Sequence, residues 1–458
     1  MSRNRTVYRC TACQAEYRRW QGQCSGCQEW NTIEAVATAP RGSSGSVSSG
    51  PAARVEPLNA QTSRVERKPT GIGEMDRVLG GGFVAGSAVL LGGEPGIGKS
   101  TLLLQVLASM ASRTYRCVYD SGEESPEQVR NRAERLGVIA AEIGITATER
   151  AEAIAALMRQ DARPDVLVVD SVQMLTSEGV DAAPGSPSQM RACTQMLIQA
   201  AKESGTVLVL VGHVTKDSAI AGPKQIEHMV DAVLRFDQET DAAFRVLRGE
   251  KNRFGSTDEV GVFEMTDTGM HPVANPSETF LLDRATGTPG SAIFPSLEGS
   301  RPILLETQTL VAPSQYGTPR RTVVGWDQGR LAMIVAVLHA RCGINICDSD
   351  VYLNISGGMR VAEPAADLAV AAALASAVAD RPIPPETACF GEIGLGGEIR
   401  PVAHADRRIR EAARMGFTRI IAPPERGGRR SPAPDGVELI RHTALVDVVS
   451  AISVRQAA

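Results

Sequence analysis

Residues 93–100, Gly93-Glu94-Pro95-Gly96-Ile97-Gly98-Lys99-Ser100, spell G-x-x-x-x-G-K-S, and no other feature of the chain restricts its fold as much. A short apolar run, residues 87–91, precedes them. Residues 99–112 follow, where Leu103, Leu104 and Leu107 share one helical face. Strand, glycine loop and helix in that order form a phosphate-binding loop. Gly93, Gly96 and Gly98 let the backbone curl so that its N–H groups face phosphate oxygens, and the helix adds the positive end of its dipole. The whole segment, Glu94, Pro95 and Ile97 included, is the expected cradle for ATP. Lys99 is expected to neutralise the β- and γ-phosphates, and the Ser100 hydroxyl to ligate Mg²⁺ with Thr101 beside it.

Such a site needs an acidic group to organise Mg²⁺ and a carboxylate to polarise the attacking water. The run Val166-Leu167-Val168-Val169 predicts a buried strand that delivers Asp170 at its C-terminal end, where open α/β sheets place their ligands. The strand at residues 117–119 leads into Asp120-Ser121-Gly122-Glu123-Glu124-Ser125. Glu123 and Glu124 are both candidates for water activation, with Glu123 preferred. The alternative is that one of them caps the helix starting near Pro126.

The chain has 458 residues, enough for several domains. Its net charge is −4, so no global positive field marks it for nucleic acid, although such a charge can still be concentrated on one face. Residues 1–36 form a cysteine module, 37–58 a Ser/Gly/Pro/Ala-rich tether, 59–272 an α/β unit with a parallel sheet, and 273–458 a second α/β unit. Cys10-x-x-Cys13 and Cys24-x-x-Cys27 aim two pairs of thiolates at one point, the spacing of a zinc ribbon. Five more cysteines lack ligand spacing, and an odd total does not suit a secreted disulfide framework. The longest apolar stretch, residues 365–379, contains Asp367 and is too short to span a bilayer; it reads as a buried helix. A cytoplasmic protein is expected.

Lys251-Asn252-Arg253-Phe254-Gly255, the glycine loop, the cysteine module (residues 8–32), and the segments 212–217, 220–223 and 255–265 together resemble the family of the bacterial DNA repair protein RadA (Sms), a RecA-like ATPase family. Ser218 departs from the glycine expected there. The resemblance implies a homo-oligomeric ring, a hexamer, with DNA-stimulated ATPase activity that moves along single-stranded DNA. It also implies branch migration of recombination intermediates alongside the RecA recombinase. Lys251, or failing it Arg253, is then the cation that reaches a neighbouring subunit's γ-phosphate; the bland alternative is a solvated basic turn. Two loops, residues 175–191 and 214–224 (with Lys216 and Lys224), are candidates for contact with single-stranded and branched DNA. The first is equally readable as an ordinary surface loop. The arginines of the zinc module, interleaved with Tyr8, Tyr17, Trp20 and Trp30, suit DNA or a partner protein.

Residues 355–370 and 391–402 resemble the proteolytic domain of Lon, of the ribosomal S5 domain 2-like class. Ala366 stands where that family has its serine nucleophile, and Asp406 near its lysine, so no peptidase activity is expected. Arg407, Arg408 and Arg410 read best as a solvated helix face. Besides a DNA motor, a KaiC-like regulatory ring ATPase that moves no DNA fits the core.

Overall fold

The computed structural model describes residues 6–37 (except 12, 14, 18 and 31), 66–213, 225–238, 243–314 (except 283 and 285), 318–425 and 432–453. Nearly all of the expected tether and the whole loop 214–224 lie outside the described residues. The chain divides into two compact units, Met1–Ser63 and Arg64–Ala458.

In the first unit, strands Glu16–Tyr17, Thr6–Cys10 and Ile33–Ala37 form an antiparallel sheet in that spatial order. Among the described residues its buried core is Cys10, Cys24 and Ile33, with Tyr8, Ala15, Tyr17 and Cys27 partly buried beside them, a small core of the kind that metal binding reinforces.

In the second unit, a nine-stranded sheet runs Gly269–Pro272, Val260–Thr266, Phe244–Asn252, Ala232–Gln238, Ala88–Gly93, Val207–His213, Val166–Asp170, Cys117–Ser121, Ile143–Thr146. The last six strands are parallel. Their central members are buried along almost their whole length, as the unbroken Val/Leu runs predict. The helix Lys99–Ala111 buries Leu102, Leu103, Leu104, Val106 and Leu107 against the sheet. The first four strands are antiparallel to one another, an extension that a purely parallel reading missed. The reason is chain length: strand connections such as Asp267-Thr268 are too short for a crossover helix, so the strands turn straight back.

Helix Pro187–Ser204 starts at its N-cap Ser186, so the irregular loop expected over residues 175–191 ends five residues earlier. Ser125, not either glutamate, caps helix Pro126–Arg135, in a capping box with Gln128.

The C-terminal part holds a seven-stranded mixed sheet ordered Arg321–Val324, Ser349–Ile355, Arg301–Pro313, Ser291–Glu298, Thr387–Cys389, Arg419–Ala422, Glu438–Arg441. Helix Asp367–Ala379 is the buried helix that the alanine-rich run predicts. Arg408 overturns the solvated-face reading of its helix. It is 2 % exposed, donates to Pro295 O at 2.6 Å and pairs with the Glu363 carboxylate, and its guanidinium stacks near Phe294 and Phe390. Arg407 reaches Ser300 O at 3.1 Å, whereas Arg410 pairs with Asp406 at an exposed surface.

Candidate active site

Four parallel strands end along one edge of the large sheet, at Gly93, Ser121, Asp170 and His213. The glycine loop closes that edge. Gly98 caps the following helix at φ 108°, a conformation that strains any residue with a Cβ. A side chain on Gly93 would meet Phe236 O at 2.6 Å.

The Lys99 ammonium turns back into its own loop, donating to Gly93 O (2.8 Å) and Glu94 O (2.9 Å). Burial pulls its pKa below the ordinary value, opposed by the charges of Asp170 and Glu123. Ser100 Oγ donates to Asp170 Oδ2 at 2.6 Å, so the two expected Mg²⁺ groups are already in contact. Tyr119 also donates to Asp170 Oδ2, at 2.5 Å. Burial, reinforced by the Asp170 charge, holds the Tyr119 phenol well above its ordinary pKa and therefore protonated. Hydroxyl and carboxylate side by side at the foot of a phosphate loop are a donor set suited to hard Mg²⁺.

Glu123 faces this site. Its Oε1 accepts from Ser171 Oγ (2.5 Å) and contacts His213 Nε2 (2.8 Å). Burial opposes its ionisation, but the hydrogen bonds from Ser171 and His213 and the charges of His213 and Lys99 outweigh it, and its pKa lies below the ordinary value. Glu124 turns away and pairs with Arg132 at 2.5 Å. Sequence reasoning missed Tyr119, Ser171 and His213 as site residues. His213 was discoverable, since it ends a parallel strand by the same rule that finds Asp170.

Lys251 and Arg253 lie at the other edge of the sheet. Gly93 pairs with Phe236, four residues along the strand from Ala232, and it is Ala232 that pairs with Asn252. Four residues of strand span about 13 Å. The Lys251 ammonium is engaged by the carbonyls of Glu227 (2.9 Å), His228 (3.1 Å) and Val230 (2.7 Å), and burial lowers its pKa. The Arg253 side chain is 55 % exposed and touches Asp231 at 3.3 Å. Asn252 and Gly255 pin the turn: Asn252 Nδ2 donates to Val78 O, and Gly255 packs on Gly80.

In the N-terminal unit, the sulfurs of Cys10, Cys13, Cys24 and Cys27 all lie within 4.8 Å of one another. The pairs Cys10–Cys27 and Cys13–Cys24 are 3.6 and 3.4 Å apart, close to the edge of a tetrahedron around zinc. The Tyr17 hydroxyl bonds Cys24 Sγ at 3.1 Å and leads in lowering that thiol to about 6. Although the Glu29 backbone favours the Cys27 thiolate, burial and the other sulfurs push Cys27 up to about 12. Four thiolates cannot coexist here without a cation to offset their repulsion, and zinc supplies that charge.

Residues 8–35 match the family model described as a rubredoxin metal binding domain, residues 54–219 an AAA domain, and residues 317–426 subunit ChlI of Mg-chelatase. The chain is 48 % identical over 467 residues to the DNA repair protein RadA of Brucella abortus (strain 2308), covering 99 % of this chain and 98 % of the relative. The chain belongs to the RadA family of DNA repair proteins. The RadA of Pseudomonas aeruginosa PAO1 is 46 % identical over 99 % of this chain and 100 % of its own length; that of Bacillus subtilis (strain 168) is 44 % identical over 92 % and 93 %. A KaiC-like protein of known structure from Pyrococcus horikoshii OT3 overlays with TM-score 0.39 at 21 % identity, covering 46 % of this chain and 99 % of that one, too slight a likeness to argue from. As a RadA-family member, the chain is a DNA repair ATPase that uses ATP with Mg²⁺ and carries zinc. Among the described residues no helix is long and apolar enough to cross a membrane.

Proposed function

We propose that this protein is a cytoplasmic, ring-forming ATPase, a hexamer, that translocates on single-stranded DNA and drives branch migration of recombination intermediates alongside the RecA recombinase. Residues 1–36 serve as its zinc module, 37–58 as a tether, 59–272 as the motor, and 273–458 as a Lon-like scaffold without peptidase activity. In this reading residues 93–101 hold the nucleotide, Ser100 and Asp170 hold Mg²⁺, and Lys99 neutralises phosphate charge. Bound Mg²⁺ would supply further positive charge at the phosphates. Glu123 accepts a proton from the attacking water.

The observation that carries the ring is the position of the Lys251–Arg253 turn. It stands about 13 Å of strand away from the glycine loop of its own chain, so a cation of this turn that serves ATP would meet a neighbour's nucleotide. Geometry favours Arg253, which is exposed, over Lys251, which would have to leave three carbonyls. Mixed rings test this. Subunits carrying Lys99→Ala keep their cations and lose their own site, while Arg253→Ala or Lys251→Ala subunits do the reverse. Mixtures of two inactive variants should regain turnover for whichever cation acts in trans; no recovery with either would remove the shared site.

DNA coupling is supported by His213, which touches Glu123 and runs in sequence directly into residues 214–224. One residue thus links the water-activating carboxylate to the expected DNA loop. The deciding measurement is ATP turnover with and without single-stranded DNA, followed by a three-strand branch-migration assay with RecA. Stimulation and strand extension are expected. Turnover indifferent to DNA would favour a regulatory ring ATPase.

A further inference from the structure

The zinc unit presents an aromatic pair for which neither ATP chemistry nor metal binding has a use. Trp20 is 59 % exposed and Trp30 68 %, in a chain whose aromatic content is only 4 %. The two indoles flank Gly22: a methyl placed on that glycine would lie 3.7 Å from Trp30 Cζ3 and 3.9 Å from Trp20 Cη2. Glycine therefore leaves a shallow floor between two benzo rings. The orientation of Trp20 is fixed, because its Nε1 donates to Ile33 O at 3.1 Å. Its polar edge is tied to the sheet, leaving the apolar end of the ring outward. Leaving so much indole in water is unfavourable unless something covers it.

Charge indicates what covers it. Residues 1–36 carry five arginines against three glutamates, in a chain whose net charge is −4. Arg19, beside Trp20, is exposed. Flat π-faces within a locally positive module are the combination that holds unpaired nucleobases, with the rings stacking on bases and the arginines meeting phosphates.

We propose that Trp20 and Trp30 form a stacking site for bases of single-stranded DNA, a contact additional to the motor's own. The inference rests on single-stranded DNA being the protein's track. Because every base has a π-face, the site reads no sequence.

The three tryptophans of the chain make the test direct. Trp326 is 8 % exposed, and in a Trp326→Phe protein all indole emission comes from the zinc unit. Titration of the zinc-loaded, full-length Trp326→Phe protein with oligo(dT) should quench emission, while an abasic strand of equal length, with the same phosphates, should not. Trp30→Ala, with its zinc content unchanged, should bind oligo(dT) about tenfold more weakly. Equal quenching by both strands, no quenching, or undiminished binding by Trp30→Ala would overturn the stacking site. If DNA still stimulates ATP turnover in that event, the motor reading stands alone; if it does not, both fall. A Trp30→Ala protein that binds oligo(dT) normally but fails in branch migration with RecA would identify a protein-docking face and overturn the proposal.

Discussion

Glu123→Gln should lower ATP turnover about 100- to 10,000-fold with ATP affinity close to wild type. The amide keeps the size of the side chain and can still meet Ser171 and His213, but it cannot accept a proton. Binding survives because Glu123 is not part of the 93–101 cradle. Glu124→Gln is the matched control: its carboxylate pairs with Arg132 away from the site, and turnover should change less than about threefold, as expected when one partly exposed ion pair is lost. Acidity gives a second readout. The Glu123 pKa lies below the ordinary carboxylate value, because the hydrogen bonds from Ser171 and His213 outweigh burial. The base form therefore persists to lower pH than a free glutamate would allow, and the acid limb of kcat/KM should sit correspondingly low. His213→Ala removes a donor and should move that limb upward, while also reducing stimulation by DNA. Full turnover in the Glu123→Gln enzyme, or its loss in the Glu124→Gln enzyme instead, would reassign the base.

The choice between those two glutamates shows where sequence reading stops. The glycine loop is contiguous, and its strand-loop-helix setting is visible within about twenty-five residues. Asp170 is legible because a four-residue apolar run, too short for a helix and downstream of a phosphate loop, reads as a buried strand whose next residue emerges at the sheet edge. The four cysteines are legible because two tight pairs suffice to specify a tetrahedron. Glu123 and Glu124 are neighbours on a turn, and local propensity treats them alike. What separates them is Ser171, 48 residues away, and His213, 90 residues away, both brought in by strand order. Arg408 fails for the same reason. In Arg407-Arg408-Ile409-Arg410 the pattern reads as a solvated stripe, yet the half-buried Glu363, 45 residues earlier, pairs with the second arginine and draws it inside. The antiparallel extension escaped notice because a parallel and an antiparallel buried strand have the same composition. Only the shortness of the connecting turns tells them apart.

Arg301→Ala should destabilise residues 64–458 by about 3–5 kcal/mol, the range found when one partner of a buried ion pair is removed. Arg301 begins the long strand of the C-terminal sheet, and its guanidinium enters the ATPase core. There it pairs with Glu74 and donates to Val260 O (3.3 Å), Val273 O (3.4 Å) and Ala274 O (2.9 Å). Glu74, 3 % exposed, also accepts from the Val262 backbone at 2.9 Å. Alanine would leave that buried carboxylate with only the half-exposed Arg77, 3.7 Å away, and remove the Arg301 bonds to three carbonyls. The turn beside it is equally committed. Gly299 stands at φ 59°, and a side chain there would meet Asp258 O at 1.9 Å. Ser300 Oγ bonds Glu259 at 2.5 Å, and Arg248 pairs with Glu298. The strand hairpin of the C-terminal sheet is thus fastened to the nine-stranded sheet by paired charges. Arg301→Met combined with Glu74→Gln removes both charges and keeps an acceptor for Val262 N–H, so it should recover most of the loss. Denaturant unfolding of the three proteins decides the matter. An Arg301→Ala protein within about 1 kcal/mol of wild type would show that packing, not the ion pair, holds the two sheets together.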